Sequence, residues 1–232
     1  MASVLAVAQD QRPQSAAVVA AIWSFLELLW QPGDVRELRI PKYNRFGQTA
    51  SGYFDSPERL ARAAIAWDGR ANAYVTLNPV NPALLARASN HTKPRAQHTT
   101  ADADIVRRDW LAMDVDPVRP AGISSTDAEA EDARQVLDAA VAWLAALGWP
   151  EPIRAMSGNG YYALYRIDLP NDAEAAELVN RALRAVAAAC DTAQATIDTG
   201  MANASRLVGL IGTRKVKGDA TADRPHRRSR LE

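Results

Sequence analysis

The chain is poor in cysteine and histidine. Among its 232 residues there are one cysteine and three histidines. A single thiol, Cys190, cannot form a disulfide framework, and without a cysteine cluster the chain lacks the usual structural zinc site. His91, His98 and His226 do not show the His-x-His or His-x-x-x-His spacing of a paired-histidine metal centre. We therefore expect no zinc, and the cysteine usage fits a reducing, cytoplasmic location.

Long hydrophobic runs are also missing. The longest apolar stretch runs from Ala16 to Trp30 and is interrupted by Ser24 and Glu27. A membrane-spanning helix needs about 20 consecutive apolar residues, so this stretch is too short and too polar to be one. No basic region precedes it, which makes it a poor signal peptide. We expect a buried amphipathic helix here and no membrane partner.

The chain has no excess of either charge, because 27 basic residues balance 27 acidic ones. The balance is uneven along the chain. Residues 214–232 carry seven basic and three acidic residues, which leaves 20 basic and 24 acidic residues elsewhere. Charge alone favours a solvated basic tail, and an anion-binding segment is the alternative.

Helical and strand patterns alternate along the chain. A capping box at Thr126–Glu129 predicts the clearest helix, and Ser56 and Asn171 are predicted to open two others. Gly47 to Gly52 has the composition of a loop. The near-continuous Val/Ile runs of a doubly wound parallel sheet are absent, so we expect an α+β fold with mixed or antiparallel sheets. The predicted strands include residues 35–40, 73–77, 110–117, 161–167 and 206–211.

Two aspartates interrupt an otherwise apolar strand, Trp110 to Pro117. Side chains alternate across a strand, so Asp114 and Asp116 share one face. Neighbouring carboxylates repel each other and are costly to bury, and a divalent cation between them would remove that cost. Hard oxygen ligands favour Mg²⁺ or Mn²⁺. The alternative is a strand end at which both acids simply reach solvent.

A glycine-rich turn, Ser157-Gly158-Asn159-Gly160, separates two predicted strands. Asn-Gly is a strong hairpin signal. Successive backbone N–H groups in such a turn can also bind an anion, and the Ser hydroxyl and Asn amide add donors. The two interpretations are compatible, because a hairpin can present a phosphate site.

A third acid, Asp198, precedes Arg206, which opens the last predicted strand. On its own this acid could simply cap a turn. Beyond it lie the basic residues from Arg214 to Lys217 and from Arg224 to Arg227. Arginine forks suit phosphate oxygens, and lysine suits them as a point charge. Acids for metal ions beside cations for phosphates are what phosphoryl or nucleotidyl transfer requires.

In their order and spacing, these blocks resemble the archaeo-eukaryotic primase superfamily. More narrowly, they resemble the primase-polymerase domains of phages, plasmids and CRISPR-associated proteins. The resemblance extends from about Leu38 to Arg230 and implies an α/β module joined to an RRM-like module, with the active site in the cleft between them. We expect one catalytic domain over residues 1–232, with about 1–105 mainly in the first module and about 106–230 mainly in the second.

The resemblance also implies site residues and partners. Asp114, Asp116 and Asp198 would be the catalytic acids and would hold two Mg²⁺ or Mn²⁺ ions. The partners would be a DNA template and primer, nucleoside triphosphates, and a helicase domain or other replication proteins. The residues implied to contact the nucleotide are Ser157, Gly158, Asn159, Gly160, Tyr162, Arg206, Lys217, Arg224, His226, Arg227 and Arg39.

Tyr162 departs from the family pattern, in which a histidine usually stands two residues after the second glycine of the turn. Tyrosine can donate a hydrogen bond but carries no positive charge at neutral pH. If the histidine helps to hold the triphosphate, its absence here implies either reduced affinity or compensation by another cation, such as Lys217. Primer initiation would then be affected more than extension. The alternatives are a non-catalytic nucleotide- or nucleic-acid-binding module on the same fold and a metal-dependent nuclease.

Overall fold

The computed structural model describes residues 2–232, with side chains described from residue 15 onward. Pairing between the named strands is antiparallel throughout, so the predicted α+β class is confirmed. Short 3-10 helices cover Ile65–Trp67, Pro82–Arg87, Asp102–Asp104 and Thr199–Ala202. The other elements, in chain order, are α1 (Ala2–Leu29), β1 (Arg36–Ile40), β2 (Ala50–Phe54), α2 (Pro57–Ala64), β3 (Tyr74–Thr76), β4 (Arg107–Pro117), α3 (Asp127–Ala146), β5 (Ile153–Met156), β6 (Tyr161–Pro170), α4 (Ala173–Cys190), β7 (Ala195–Ile197), β8 (Leu207–Gly209) and β9 (Arg230–Leu231).

From residue 15 onward, the helix α1 has one buried and one exposed face, which confirms the predicted amphipathic pattern. It begins earlier than expected, at Ala2, and its outer residues Trp23 and Leu28 are substantially exposed. Among the described residues, no helix combines the length and apolarity needed to cross a membrane. The buried side chains recur at the spacing of a single helical face: Ile22, Phe25, Leu26 and Leu29.

Four strands form the first sheet, in the order β2-β1-β3-β8. The prediction of a loop between Gly47 and Gly52 is wrong in part, because Ala50–Phe54 is a strand paired with β1. Small residues have low strand propensity, and tertiary pairing overrides it here. Gly52 also permits a close approach, since an added Cβ would lie less than 3.0 Å from the His91 carbonyl oxygen.

Five strands form the second sheet, in the order β7-β4-β6-β5-β9. The helices α3 and α4 pack on this sheet and on each other. The strand β7 was not predicted, and the strand expected at 206–211 is shorter, Leu207–Gly209. That strand, β8, belongs to the first sheet, and the chain then returns to the second sheet as β9. The segment between these two strands therefore crosses from one sheet to the other.

Helix capping follows the predicted residues in two of three cases. Ser56 caps α2, and Thr126 and Glu129 form the capping box of α3. The helix α4 is capped by Asp172 rather than by Asn171. Asn171 instead donates hydrogen bonds to two carbonyl groups in the segment before β4.

Candidate active site

Four chemically relevant residues lie close together on, or directly after, adjacent strands of the second sheet. Asp114 on β4 is directly opposite Tyr162 on β6. On the other side of β4, the backbone N–H of Asp198 donates to the carbonyl of Asp114 at 2.8 Å, just after β7. Asp116 lies two residues further along β4 and shares the face of Asp114. The shared face thus results from strand alternation and from the pairing of β7 with β4.

This face forms one wall of a cavity of about 500 Å³ between the two sheets. The first sheet and the crossing segment supply the opposite wall. Nine of the predicted site residues line the cavity: Arg39, Asp114, Asp116, Ser157, Asn159, Tyr162, Asp198, Arg206 and Lys217. Further lining residues that were not predicted include Asn72, Tyr74, Arg119, Asn203, Ser205 and Lys215.

The three carboxylates differ in their partners. Asp116 lies 3.4 Å from the Arg119 guanidinium, and Asp198 accepts a hydrogen bond from Arg206 at 2.9 Å. The Asp114 carboxylate has no hydrogen bond or ion pair with any residue that the structure describes. Burial, followed by the charge of Asp116, raises the pKa of Asp114 to about 8, and Lys215 offsets part of this effect.

The chemistry of these donors fits a hard divalent cation, because the half-buried Asp114 carboxylate lies beside a second carboxylate and has no ion-pair partner among the described residues. The arrangement of the three carboxylates does not by itself form a complete metal site. In the described part of the chain, no three Asp, Glu, His or Cys side chains form a group that could hold a metal ion. The arginine partners of Asp116 and Asp198 supply positive charge to these two acids instead.

The predicted turn at residues 157–160 is a hairpin between β5 and β6, as expected. The Ser157 hydroxyl accepts from the Gly160 N–H at 3.0 Å, which closes the turn. Gly158 adopts φ +104, and an added Cβ would lie 2.5 Å from the Lys215 Cβ. An added Cβ at Gly160 would lie 3.1 Å from Asp116 Oδ1. The glycines therefore allow the turn to contact both the acid-bearing strand and the basic segment.

Asn159 is buried, with 3% of its surface exposed, and lines the cavity. Its Oδ1 accepts from the backbone N–H of Ser125 at 3.0 Å. Its Nδ2 has no hydrogen-bond partner among the residues that the structure describes. An unsatisfied buried donor costs about 1–3 kcal/mol. The amide is therefore held in place by its oxygen, while its nitrogen remains available to an acceptor on a bound ligand.

The basic segment around Lys215 is pinned to the cavity wall and is not a solvated tail. The side chain of Asn72 makes two hydrogen bonds with the backbone of Val216, at 2.6 and 2.8 Å. The Lys215 ammonium donates to the Tyr74 hydroxyl at 2.8 Å. Burial, and then Arg119, lowers the pKa of Lys217. Period-two alternation along this extended segment would have placed both lysines on one side, and this signal was missed.

Tyr162 links the two sheets. It is almost fully buried, and its hydroxyl oxygen accepts from the Gly209 N–H of β8 at 3.3 Å. Burial, and then the neighbouring Asp114, raises its pKa well above the ordinary tyrosine value. The hydroxyl therefore stays neutral and can donate one hydrogen bond beside Asp114.

Three predicted residues near the C terminus do not line the cavity. Arg224 makes a bidentate ion pair with Glu129 at 2.7 and 2.8 Å. Arg227 binds Asp127 at 2.6 Å, so both arginines anchor the C-terminal segment to the start of α3. The His226 ring contacts a backbone carbonyl at 2.9 Å. Contact of these three side chains with a nucleotide stays a prediction.

Arg39 lines the cavity but is tethered. Its guanidinium binds Glu37 at 2.5 Å and the Thr100 carbonyl at 3.1 Å. Glu37 is fully buried and also accepts from the Ser51 hydroxyl. Arg39 is therefore oriented by the first sheet, and Glu37 balances its charge at the cavity edge.

Comparison with known proteins gives one structural similarity. No protein-family model matches the chain, and no curated protein does. The crystal structure of primase RepB' is similar to it, with a TM-score of 0.49 and 13% sequence identity. The alignment covers 93% of this chain and 56% of that primase, so the chain spans little more than half of its length. A similarity at this level assigns neither a family nor an activity.

Proposed function

We propose that the cavity between the sheets is the active site of a template-dependent nucleotidyl transferase, with DNA primase or DNA polymerase activity on nucleoside triphosphates. One observation carries the proposal. Asp114, Asp116 and Asp198 line one cavity together with two lysines and the unpaired amide nitrogen of Asn159. Acids that suit metal ions thus face donors and cations that suit phosphates.

In this proposal, Asp114 and Asp116, with Asp198 as the third acid, would hold two Mg²⁺ or Mn²⁺ ions. Such ions would activate the attacking hydroxyl and neutralise charge on the triphosphate. The raised pKa of Asp114 supports this assignment, because its carboxylate gains most from an added positive charge. Asp198 and Asp116 would exchange part of their arginine contact for the ions.

The remaining side chains would position the triphosphate. Asn159 Nδ2 would donate to a phosphate oxygen, which satisfies its unpaired donor. Lys215 and Lys217 would offset the triphosphate charge. The 3′-hydroxyl oxygen of the primer would then bond to the α-phosphorus as the bond to pyrophosphate breaks, and the hydroxyl proton would pass to solvent. The cavity volume of about 500 Å³ lies within the usual range for small-molecule sites.

Tyr162 bears on the difference between extension and initiation. It stands where the primase-polymerase domains that the sequence resembles usually have a histidine, and burial keeps its hydroxyl neutral. Lys215, whose ammonium lies near the same end of the cavity, is the cation best placed to compensate. We therefore propose primer extension as the principal activity, because initiation must hold two nucleotides without a stacked primer.

A non-catalytic nucleotide-binding module is the second candidate. Its support is that Asp116 and Asp198 already have arginine partners. Such pairs stabilise the acids without a metal ion. In that case the cavity would bind a nucleotide through Asn159 and the lysines, and no transfer would follow.

Primer extension separates these candidates. The protein is incubated with Mn²⁺ or Mg²⁺, a primed DNA template and nucleoside triphosphates, and the assay is repeated with Asp116→Ala. Asp219→Ala is the matched control, because this exposed acid does not line the cavity. Template-directed extension that Asp116→Ala abolishes and Asp219→Ala preserves supports the transferase. Nucleotide binding without extension favours the module, and strand cleavage favours a nuclease.

A further inference from the structure

Two segments of this chain contain basic residues and no acidic ones. Residues 38–54 include Arg39, Lys42 and Arg45 without any Asp or Glu. Residues 82–101 likewise include Arg87, Lys93 and Arg95 and no acid. In a chain whose net charge is zero, each segment is a local concentration of positive charge.

The fold brings these two segments together. Lys93 and Ser51 exchange backbone hydrogen bonds of 3.1 and 2.8 Å, and the Ala96 N–H donates to the Thr49 carbonyl at 2.8 Å. The second segment therefore lies along the start of β2, beside the turn that joins β1 to β2. Positive charge from two distant parts of the sequence is combined on one edge of the first sheet.

Four of these cations are exposed and form no ion pair with the residues that the structure describes: Lys42, Arg45, Lys93 and Arg95. The other two are neutralised, Arg39 by Glu37 and Arg87 by Asp104. Lys42 and Arg95 also adopt positive φ angles of 50° and 54°, which are strained for long side chains. The exposed cations are thus held on irregular backbone and are free to bind an external anion.

An aromatic ring lies among these cations. Phe46 is 70% exposed, more than any other large hydrophobic side chain that the structure describes. The Arg45 guanidinium lies 4.8 Å from the centre of this ring. We name Lys42, Arg45, Phe46, Lys93 and Arg95 the basic edge. Cations beside an exposed aromatic ring are the usual elements of a single-strand nucleic-acid site, in which phosphates contact the cations and bases stack on the ring.

The basic edge adjoins the cavity. Pro41 and Arg39 line the cavity, and Pro41 directly precedes Lys42. Arg39 also donates to the Thr100 carbonyl, at the end of the second segment. A nucleic-acid strand lying on the basic edge therefore reaches the rim of the proposed active site along two segments that contain no acidic residue.

We propose that the basic edge binds the single-stranded template that is read at the cavity. The role of the bound strand as a template rests on the proposed function, whereas single-strand binding does not. Lys42, Arg45, Lys93 and Arg95 contact successive phosphates, and Phe46 stacks on an unpaired base. A duplex hides its base faces, and an acidic protein has none to stack, so an essential Phe46 distinguishes the single strand from both.

The test measures fluorescence anisotropy of a labelled oligothymidylate of about 20 nucleotides, longer than the usual single-strand site. The full chain is used without divalent ions or nucleotides, over a series of salt concentrations. The test variant is Lys42→Gln/Arg45→Gln/Lys93→Gln/Arg95→Gln. The matched control is Arg59→Gln/Arg62→Gln/Arg181→Gln/Arg184→Gln, which removes the same charge from exposed helical positions.

We expect the test variant to bind more weakly, and we expect the negative slope of log K against log salt to become shallower by about 2–3, since four phosphate contacts of a single strand are lost. The control keeps the wild-type slope. Phe46→Leu weakens binding about 5-fold or more, the lower limit for one stacked base. Equal slopes for test and control variants would overturn the proposal. So would an unchanged affinity of Phe46→Leu, equal binding of a duplex, or equally effective competition by polyglutamate.

Two further measurements keep the outcome interpretable. Should the fourfold variant unfold, the pairs Lys42→Gln/Arg45→Gln and Lys93→Gln/Arg95→Gln lie on separate segments and are tested one by one; an unchanged slope in both folded pairs also overturns the proposal. The binding assay needs no catalysis. Single-strand binding without nucleotide incorporation would therefore support the basic edge and contradict the proposed function. Nucleotide incorporation by wild type, together with unchanged single-strand binding by the test variant, would support the proposed function and contradict the basic edge.

Discussion

Replacing Gly160 by alanine tests the contact between the glycine-rich turn and the acid-bearing strand. An added Cβ would lie less than 3.0 Å from the Val115 carbonyl oxygen and 3.1 Å from Asp116 Oδ1. The first of these atoms belongs to the backbone of a central strand and cannot rotate away. Overpacking of this kind costs about 1–3 kcal/mol, and a fixed backbone obstacle favours the upper half of that range.

For a chain of this size, each kcal/mol lowers the melting temperature by about 2–4 °C, so Gly160→Ala should melt about 4–12 °C below wild type. Thermal unfolding followed by circular dichroism measures this shift. Gly209→Ala is the matched control, because its added Cβ would lie 3.5 Å from the nearest atom, an ordinary contact. This control should melt at or slightly above the wild-type temperature, since alanine also restricts the unfolded chain. Equal melting temperatures for the two variants would refute the described contact between turn and strand.

Three further predictions concern individual side chains. Arg224 lowers the pKa of Glu129, so their pair stabilises the fold above the ordinary glutamate pKa and loses this effect as the pH falls through the lowered value. Glu129→Gln should therefore lower the melting temperature at pH 7, and the difference from wild type should disappear at acid pH. A difference that does not depend on pH would contradict the pairing. Asn159→Asp keeps the acceptor for Ser125 but replaces the free donor with a buried negative charge, so nucleoside triphosphate affinity should fall about 5- to 100-fold in a titration and the melting temperature should fall as well. Unchanged affinity would remove this residue from the site. Lys215→Met should raise the KM for nucleotide more than it lowers kcat in steady-state kinetics, and the opposite split would indicate a role in the chemical step.

The residues that local pattern predicts best are those on the long strands. Alternation along an apolar strand is enough to put Asp114 and Asp116 on one face, and the structure has them there. The Ser157–Gly160 hairpin and the α3 capping box are equally local, and both are confirmed. These features depend on a few consecutive residues, so tertiary context does not alter them.

Other features depend on contacts between distant residues, which local pattern does not contain. The strand β2 has weak propensity and exists because β1 pairs with it. The proximity of Asp198 to Asp114 requires pairing between β7 and β4, and the resemblance to primases, not the residues alone, suggested it. The contact of Arg224 with phosphate was implied by the resemblance to primases and stays a prediction. Its pairing with Glu129 is not contained in local pattern, because this carboxylate lies far earlier in the chain. The division into modules near residue 105 stays a prediction.

Single-nucleotide incorporation by wild type and Asp114→Asn tests the central claim most directly. The substitution keeps the size of the side chain and removes the one carboxylate of the three that has no arginine or other ion-pair partner among the described residues. In Mn²⁺, with a primed template that encodes one next base, wild type should add the complementary nucleotide. Asp114→Asn should add none while melting no lower than wild type. Equal incorporation by the two proteins, or none by a folded wild type that binds both template and nucleotide, would contradict the assignment of this cavity to nucleotidyl transfer.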